Sequence, residues 1–126
     1  QPCARIQCKN EGQNAHKAST EDCSLEPELV LARGAKMMLT RNLWQTKGLV
    51  NGTLGTLVDI VWKEGSSRND LPLAVLIEVP TYTGPTLWRS EPRDGFPQGA
   101  PIVPISIYKQ QFEYNGNPCS RTQLPL

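Results

Sequence analysis

The stretch LARGAKMMLTRNLWQTKGLVNGTLGTLVDIVW, residues 31–62, decides how the chain reads. Four glycines and an Asn-Gly pair lie between two apolar runs, so it reads as strand, reversal, strand. Asn51-Gly52 is the dipeptide favoured where both turn residues take positive φ, which makes a tight reversal there the clearest local expectation. Gly34, Gly48, Gly52 and Gly55 are read as structural turn positions on the ground that glycine accepts positive φ without steric cost. Beyond the reversal, Val58, Ile60 and Trp62 alternate with Asp59, Val61 and Lys63, which predicts a strand with that apolar set facing a core.

Working outward, Val75, Ile77 and Val79 repeat the alternation, Gly84-Pro85 breaks it, and Val103, Ile105 and Ile107 form a further alternating strand. The segment KEGSSRNDLP between the first two of these strands reads as a loop. Met38, Val58, Ile60, Val75, Ile77, Val103 and Ile105 are the expected inward residues. Eleven Pro and ten Gly in 126 residues favour short strands and many turns over a helical bundle. The pattern predicts a mainly β chain, a small antiparallel barrel, because closure removes the exposed edges of short strands. Residues 9–28, KNEGQNAHKASTEDCSLEPE, show neither helical nor strand periodicity and read as part of a disordered or extended N-terminal connector covering residues 1–28.

The length suits one domain and is too short for a two-domain nucleotide motor. The opening Gln1 and the closing RTQLPL read as cut ends of a longer protein. No apolar run reaches the roughly 18 residues of a membrane span, so no membrane partner is expected. Net charge is only +1, but it is unevenly placed. Between Leu29 and Lys63 the charged residues are Arg33, Lys36, Arg41, Lys47 and Lys63 against Asp59 alone, a net +4 set against −3 elsewhere.

Cys3, Cys8, His16 and Cys23 supply the atoms of a tetrahedral zinc site, in a Cys-x4-Cys-x7-His-x6-Cys series. Zinc modules usually hold their thiolates two to four residues apart on a tight knuckle, and that spacing is missing here. Thiols in a reducing compartment are the expectation, with no metal and no catalytic residue. His16 beside Cys8 or Cys23 lacks any recognisable oxyanion hole or orienting group.

The order of the blocks carries more information than any one of them. LVLARGAKMMLTRNLW, GLVNGTLGTLVDI, LPLAVLIEVPTYTGPT, PIVPI and CSRTQLPL, in series from about residue 25 to 126, resemble the C-terminal part of petite-integration-frequency (Pif) type DNA helicases, particularly the forms carried by Helitron transposons. The resemblance implies an SH3-like 2B domain over residues 29–116, inserted into the second RecA-like motor domain, with 117–126 returning to that motor. It implies a 5′-to-3′ ATP-dependent parent helicase using ATP and Mg²⁺, with roles in DNA repair and recombination. It implies an intracellular setting, nuclear in a eukaryotic source. A GxxxxGK[ST] phosphate loop is absent from these 126 residues, so this stretch itself is expected not to hydrolyse ATP.

The partners so implied are single-stranded DNA and the motor domains in cis. Lys and Arg beside a strand backbone release counterions and bind without reading sequence. Arg41, Asn42, Lys47, Asn51 and Thr53, around the loop and turn, are the candidate DNA contacts, and Trp44 is a candidate for stacking on a base. Two other readings of the residues stand beside this one: an SH3-like adaptor gripping a polyproline II peptide, and a transposon remnant without a function of its own.

Overall fold

A computed structural model describes residues 3–66 and 70–126. The loop expected over residues 63–72 therefore falls partly, at 67–69, outside the described residues. Every strand pairing in the described residues is antiparallel. β1 (Ala4–Gln7) pairs with β3 (Glu28–Leu31), and β2 (Lys9–Glu11) pairs with β10 (Asn117–Gln123), which in turn pairs with β9 (Tyr108–Tyr114). The largest sheet runs in the order β4 (Lys36–Met38), β5 (Leu54–Val61), β6 (Ala74–Glu78), β8 (Pro101–Ser106), β7 (Trp88–Arg89). The mainly β, antiparallel class is compatible with a small SH3-like domain. The five-stranded sheet keeps two edges, β4 and β7, rather than closing into a barrel. Both edge strands are very short, which limits the backbone they leave open to stray pairing.

One apolar core joins the five-stranded sheet, the β1–β3 pair and the C-terminal end. Leu57, Val75, Ile77, Val103 and Ile105 from the large sheet meet Leu39 and Leu49 from the reversal, Ile6 and Leu31 from the β1–β3 pair, and Leu124 and Leu126 from the C-terminal end. Val75, Ile77, Val103 and Ile105 are buried as the alternation predicts. The other three expected inward residues, Met38, Val58 and Ile60, are not fully buried. Met38 is 52% exposed, because its neighbour Met37 takes the inward position on β4. Val58 is half-buried while Leu57 is fully buried, since the β5–β6 register shifts between Leu57 and Asp59. A bulge of this kind sets two residues against one on the partner strand and reverses which parity faces inward. Past it, Ile60 packs against the core from a partly buried position. Trp62, expected on the same face, stays 38% exposed.

The disordered or extended connector is corrected over its described part. β1 and β2 lie at its start, a 3₁₀ turn spans Ala15–Lys17, and α1 covers Thr20–Cys23. Ser19 and Asp22 form a reciprocal cap on α1. Ile6, Ala15, Ala18, Cys23 and Leu25 are buried. The tie comes from the other end of the chain. Arg121, wholly buried, donates to Asn10 Oδ1 at 2.8 Å and to the carbonyls of Leu25 (3.2 Å), Ala15 (3.3 Å) and Ala18 (2.7 Å). Gln123 Nε2 donates to the carbonyls of Ile6 (3.0 Å) and Glu26 (3.2 Å). A segment too poor in apolar residues to fold by burial is thus held by side chains that satisfy its backbone.

Candidate nucleic-acid interface

The chain between β4 and β5, residues 39–53, makes an excursion whose base is closed by backbone bonds. Leu39 N–H donates to Thr53 O at 2.9 Å and Gly52 N–H to Leu39 O at 2.8 Å. Within it, Trp44 and Leu49 bridge across a 3₁₀ turn, Gln45–Lys47, that ends on Gly48 in the left-handed region. The reversal at Asn51-Gly52 is present, with Thr53 N–H donating to Val50 O at 3.0 Å. Its type differs from expectation, because Gly52 has φ +97° whereas Asn51 is not in the left-handed region. Positive φ at the third residue alone is the mark of a type II turn. Asn51 is fixed instead by donating its N–H to Asn42 Oδ1 at 2.8 Å.

The turn glycines divide by mechanism. Gly34, Gly48 and Gly52 have positive φ as expected. Gly55 does not, and its role is close approach: a Cβ there would overlap Ile77 Cγ2 and lie 2.9 Å from the Glu78 carbonyl oxygen. Gly48 combines both demands, with φ +88° and a Cβ position only 2.7 Å from the Thr81 carbonyl oxygen. Gly48→Ala is expected to destabilise the chain by about 1–3 kcal/mol through left-handed strain plus that clash. The check is a lowered denaturation midpoint at unchanged m-value; an unmoved midpoint would remove Gly48 from this role.

The five candidate contacts are brought to one excursion but in different states. Arg41 is committed inward. It donates to the carbonyls of Cys23 (3.1 Å), Ser24 (3.2 Å) and Thr40 (3.0 Å) and to Gln110 Oε1 (2.9 Å), with its guanidinium 5.1 Å from the Tyr108 ring centre. Thr53 Oγ1 accepts from Val50 N–H at 3.0 Å and donates to Gly48 O at 3.1 Å, so its hydroxyl serves the turn. Asn42 and Asn51 are exposed, and Lys47 is half-buried with its ammonium 6.0 Å from the Trp44 ring centre. Two further cations of the +4 segment are engaged within the sheet. Arg33 pairs with Asp59 at 2.9 Å, and that guanidinium, with the Ile60 N–H, holds the Asp59 carboxyl below its usual range. Lys36 donates to Thr56 Oγ1 at 3.0 Å across the β4–β5 pair.

The cysteines play local parts. Cys23 and Cys119 are buried, with Sγ of Cys23 donating to the Ser19 and Leu25 carbonyls and Sγ of Cys119 to the Gln13 carbonyl. Asn10 donates to Cys8 Sγ at 3.3 Å. Among the described residues, no three His, Cys, Asp or Glu side chains gather in a metal-binding arrangement.

One feature of this region is visible only in three dimensions. Trp44 meets Tyr82 at 6.5 Å between ring centres, and the two rings share a cleft with Pro85, Leu87, Trp88 and Pro104. Trp44 gives a hint of it in sequence; Trp88, 44 residues away on β7, does not.

The sequence model of the family described as DNA helicase Pif1, 2B domain, matches residues 22–60. That span takes in β3, β4, the excursion and most of β5. No curated protein matches the chain. Among solved structures, the Pif1 helicase from Candida albicans matches with a TM-score of 0.61 at 20% identity, over 98% of this chain and 28% of that one. Unliganded Pif1 from Bacteroides sp matches at 0.58 and 15% identity, over 99% and 32%. A structure described as the basis for DNA unwinding at forked dsDNA by two coordinating Pif1 helicases matches at 0.58 and 16%, over 99% and 22%. This chain spans less than a third of each of these proteins. Residues 22–60 thus match the sequence model of the Pif1 2B domain, and the fold over nearly the whole chain is similar to that of a part of the Pif1 helicases.

Proposed function

We propose that this chain is the accessory part of a 5′-to-3′ DNA helicase and holds or steers single-stranded DNA while motor domains in cis supply force from ATP and Mg²⁺. The observation that carries the reading is the Pif1 2B-domain match over residues 22–60, the same span that holds the basic excursion. Lys47, Asn42 and Asn51 are the contacts in this reading; Arg41 and Thr53 serve it by fixing the loop that presents them. The parent works on DNA inside the cell, in the nucleus where the source is eukaryotic, and a Helitron-borne helicase is the branch its motifs resemble.

The segment can neutralise only a few phosphates. Binding is therefore weak, indifferent to base order and sharply reduced by added salt. Anisotropy titrations of the 126-residue chain with labelled single strands over a range of salt concentrations test this. Lys47→Ala is expected to flatten the slope of log K against log salt by about one unit, the share of one phosphate contact. A slope unchanged by Lys47→Ala removes Lys47 from the contact, and an absence of binding at low salt overturns the reading.

A further inference from the structure

The cleft beside the excursion has a volume of about 470 Å³, within the roughly 300–1,000 Å³ of small-ligand sites. Its outer ridges are exposed in a way isolated surface residues are not. Trp44 in the excursion is 44% exposed, and the consecutive Leu87 and Trp88 at β7 are 85% and 49% exposed, all lining one hollow. The walls are held independently of any ligand. Tyr82 Oη donates to the Pro85 carbonyl at 2.8 Å, and Thr83 N–H donates to the Lys47 carbonyl at 2.9 Å, which fastens the 82–85 turn to the excursion. On the other side Arg89 donates to the carbonyls of Gln98 and Gly99, both at 3.0 Å, and so holds β7 and Trp88 in place. A preformed aromatic cleft binds without first having to order its own side chains.

We infer that this cleft takes a nucleobase of single-stranded DNA, stacked against Trp88 or Trp44, with the Lys47 ammonium meeting the adjoining phosphate. The inference rests on the proposed function and names the part of the strand that the domain would grip. Charge selects the occupant. No lining residue is acidic, and Lys47, not itself in the lining, holds its ammonium 6.0 Å from the ring centre of Trp44, which is; that distance is the outer limit of a cation–π contact, so the ring holds the ammonium only loosely. An uncharged proline-rich segment would find the same rings but gain nothing from Lys47. A strand offers both a π-face and a phosphate, and stacking on aromatic rings tolerates any base.

The test compares a labelled (dT)12 oligomer with a fully abasic oligomer of the same length, at low salt, on the 126-residue chain and on Trp88→Ala, Trp88→Phe and Trp44→Ala. The unmodified chain is expected to bind (dT)12 on the order of 10-fold more tightly than the abasic strand, with quenching of tryptophan fluorescence. Trp88→Ala or Trp44→Ala is expected to remove most of that difference, and Trp88→Phe to retain part of it. The comparison on the unmodified chain needs no variant to fold. Equal, salt-sensitive binding of both oligomers, untouched by the tryptophan changes, overturns the cleft and leaves the proposed function standing. Binding of neither oligomer overturns both. Saturable binding of a proline-rich peptide, lost in Trp88→Ala while the (dT)12 preference persists, assigns the cleft to a peptide and overturns the inference.

Discussion

Replacing Arg121 with alanine is expected to cost about 3–5 kcal/mol, a large part of the roughly 5–15 kcal/mol that holds a domain folded. The side chain is wholly buried and its guanidinium is spread over Asn10 Oδ1 and three backbone carbonyls. Removing it takes a donor from the carbonyls of Ala15, Ala18 and Leu25 at once; Ala15 O keeps the Ala18 N–H at 3.1 Å and Leu25 O the weak Cys23 thiol at 3.6 Å, so the loss falls hardest on Ala18 O, and an unsatisfied buried acceptor costs roughly 1–3 kcal/mol before water gives partial relief. Arg121→Met preserves most of the volume and is expected to lose nearly as much, because the missing donors rather than the missing bulk decide the outcome. Arg121→Lys is expected to recover little, since one ammonium cannot reproduce a planar fork aimed at several acceptors. Denaturant midpoints measure the cost. Hydrogen exchange locates it, with protection lost first across residues 12–26. An Arg121→Met protein as stable as the parent would show that the carbonyl cage contributes nothing net.

That contact also explains why the start of the chain is illegible in the sequence. Residues 9–28 offer only Ala15, Ala18, Cys23 and Leu25 as buried groups, at spacings that match no helix or strand period. Sequence patterns register burial of a segment's own side chains. Here the segment's carbonyls are satisfied by Arg121 and Gln123, about a hundred residues away. The same reason hides the state of Arg41. It counts as one of five cations in a basic run, yet its donors are spent on carbonyls at residues 23, 24 and 40 and on Gln110. Charge counting gives the sign of a segment, and only the hydrogen bonds show which cations remain free to meet a ligand.

Turns depend on context in a similar way. The chain has two Asn-Gly pairs. Asn115-Gly116, between β9 and β10, has both residues at positive φ, +52° and +80°, and joins Tyr114 to Asn117 in the two-residue hairpin that the dipeptide favours. Asn51-Gly52 lies instead at the end of a long excursion, where Asn42 and Leu39 bind the turn from one side and only Gly52 needs positive φ. The dipeptide predicts a reversal in both places, and the length of chain being closed decides its type. By contrast, the alternation in β6 and β8 is fully readable, because regular pairing without a bulge preserves the two-residue period over Val75–Ile77 and Val103–Ile105.

The β5 bulge yields the second large effect, because it separates residues that the alternation placed together. Ile77→Ala is expected to cost about 2–5 kcal/mol, as a fully buried large-to-small change does. Val58→Ala, at the extra residue of the bulge, is expected to cost roughly 1 kcal/mol or less, near the range of changes outside a core. Ile60→Ala should fall between them, since Ile60 packs against the core from a partly buried position. A double change separates cavity from strain. Gly55 leaves the space that Ile77 Cγ2 fills, so Gly55→Ala alone forces the two groups to overlap and should be costly. With Ile77→Ala already present the Cγ2 methyl is gone, and the Cβ added at position 55 meets mainly the Glu78 carbonyl oxygen at 2.9 Å. The two changes together should therefore cost less than their sum, with a coupling of about 0.5–3 kcal/mol. Strict additivity would show that Gly55 and Ile77 do not share this space, and a Val58→Ala cost equal to that of Ile77→Ala would place the bulge elsewhere on the strand.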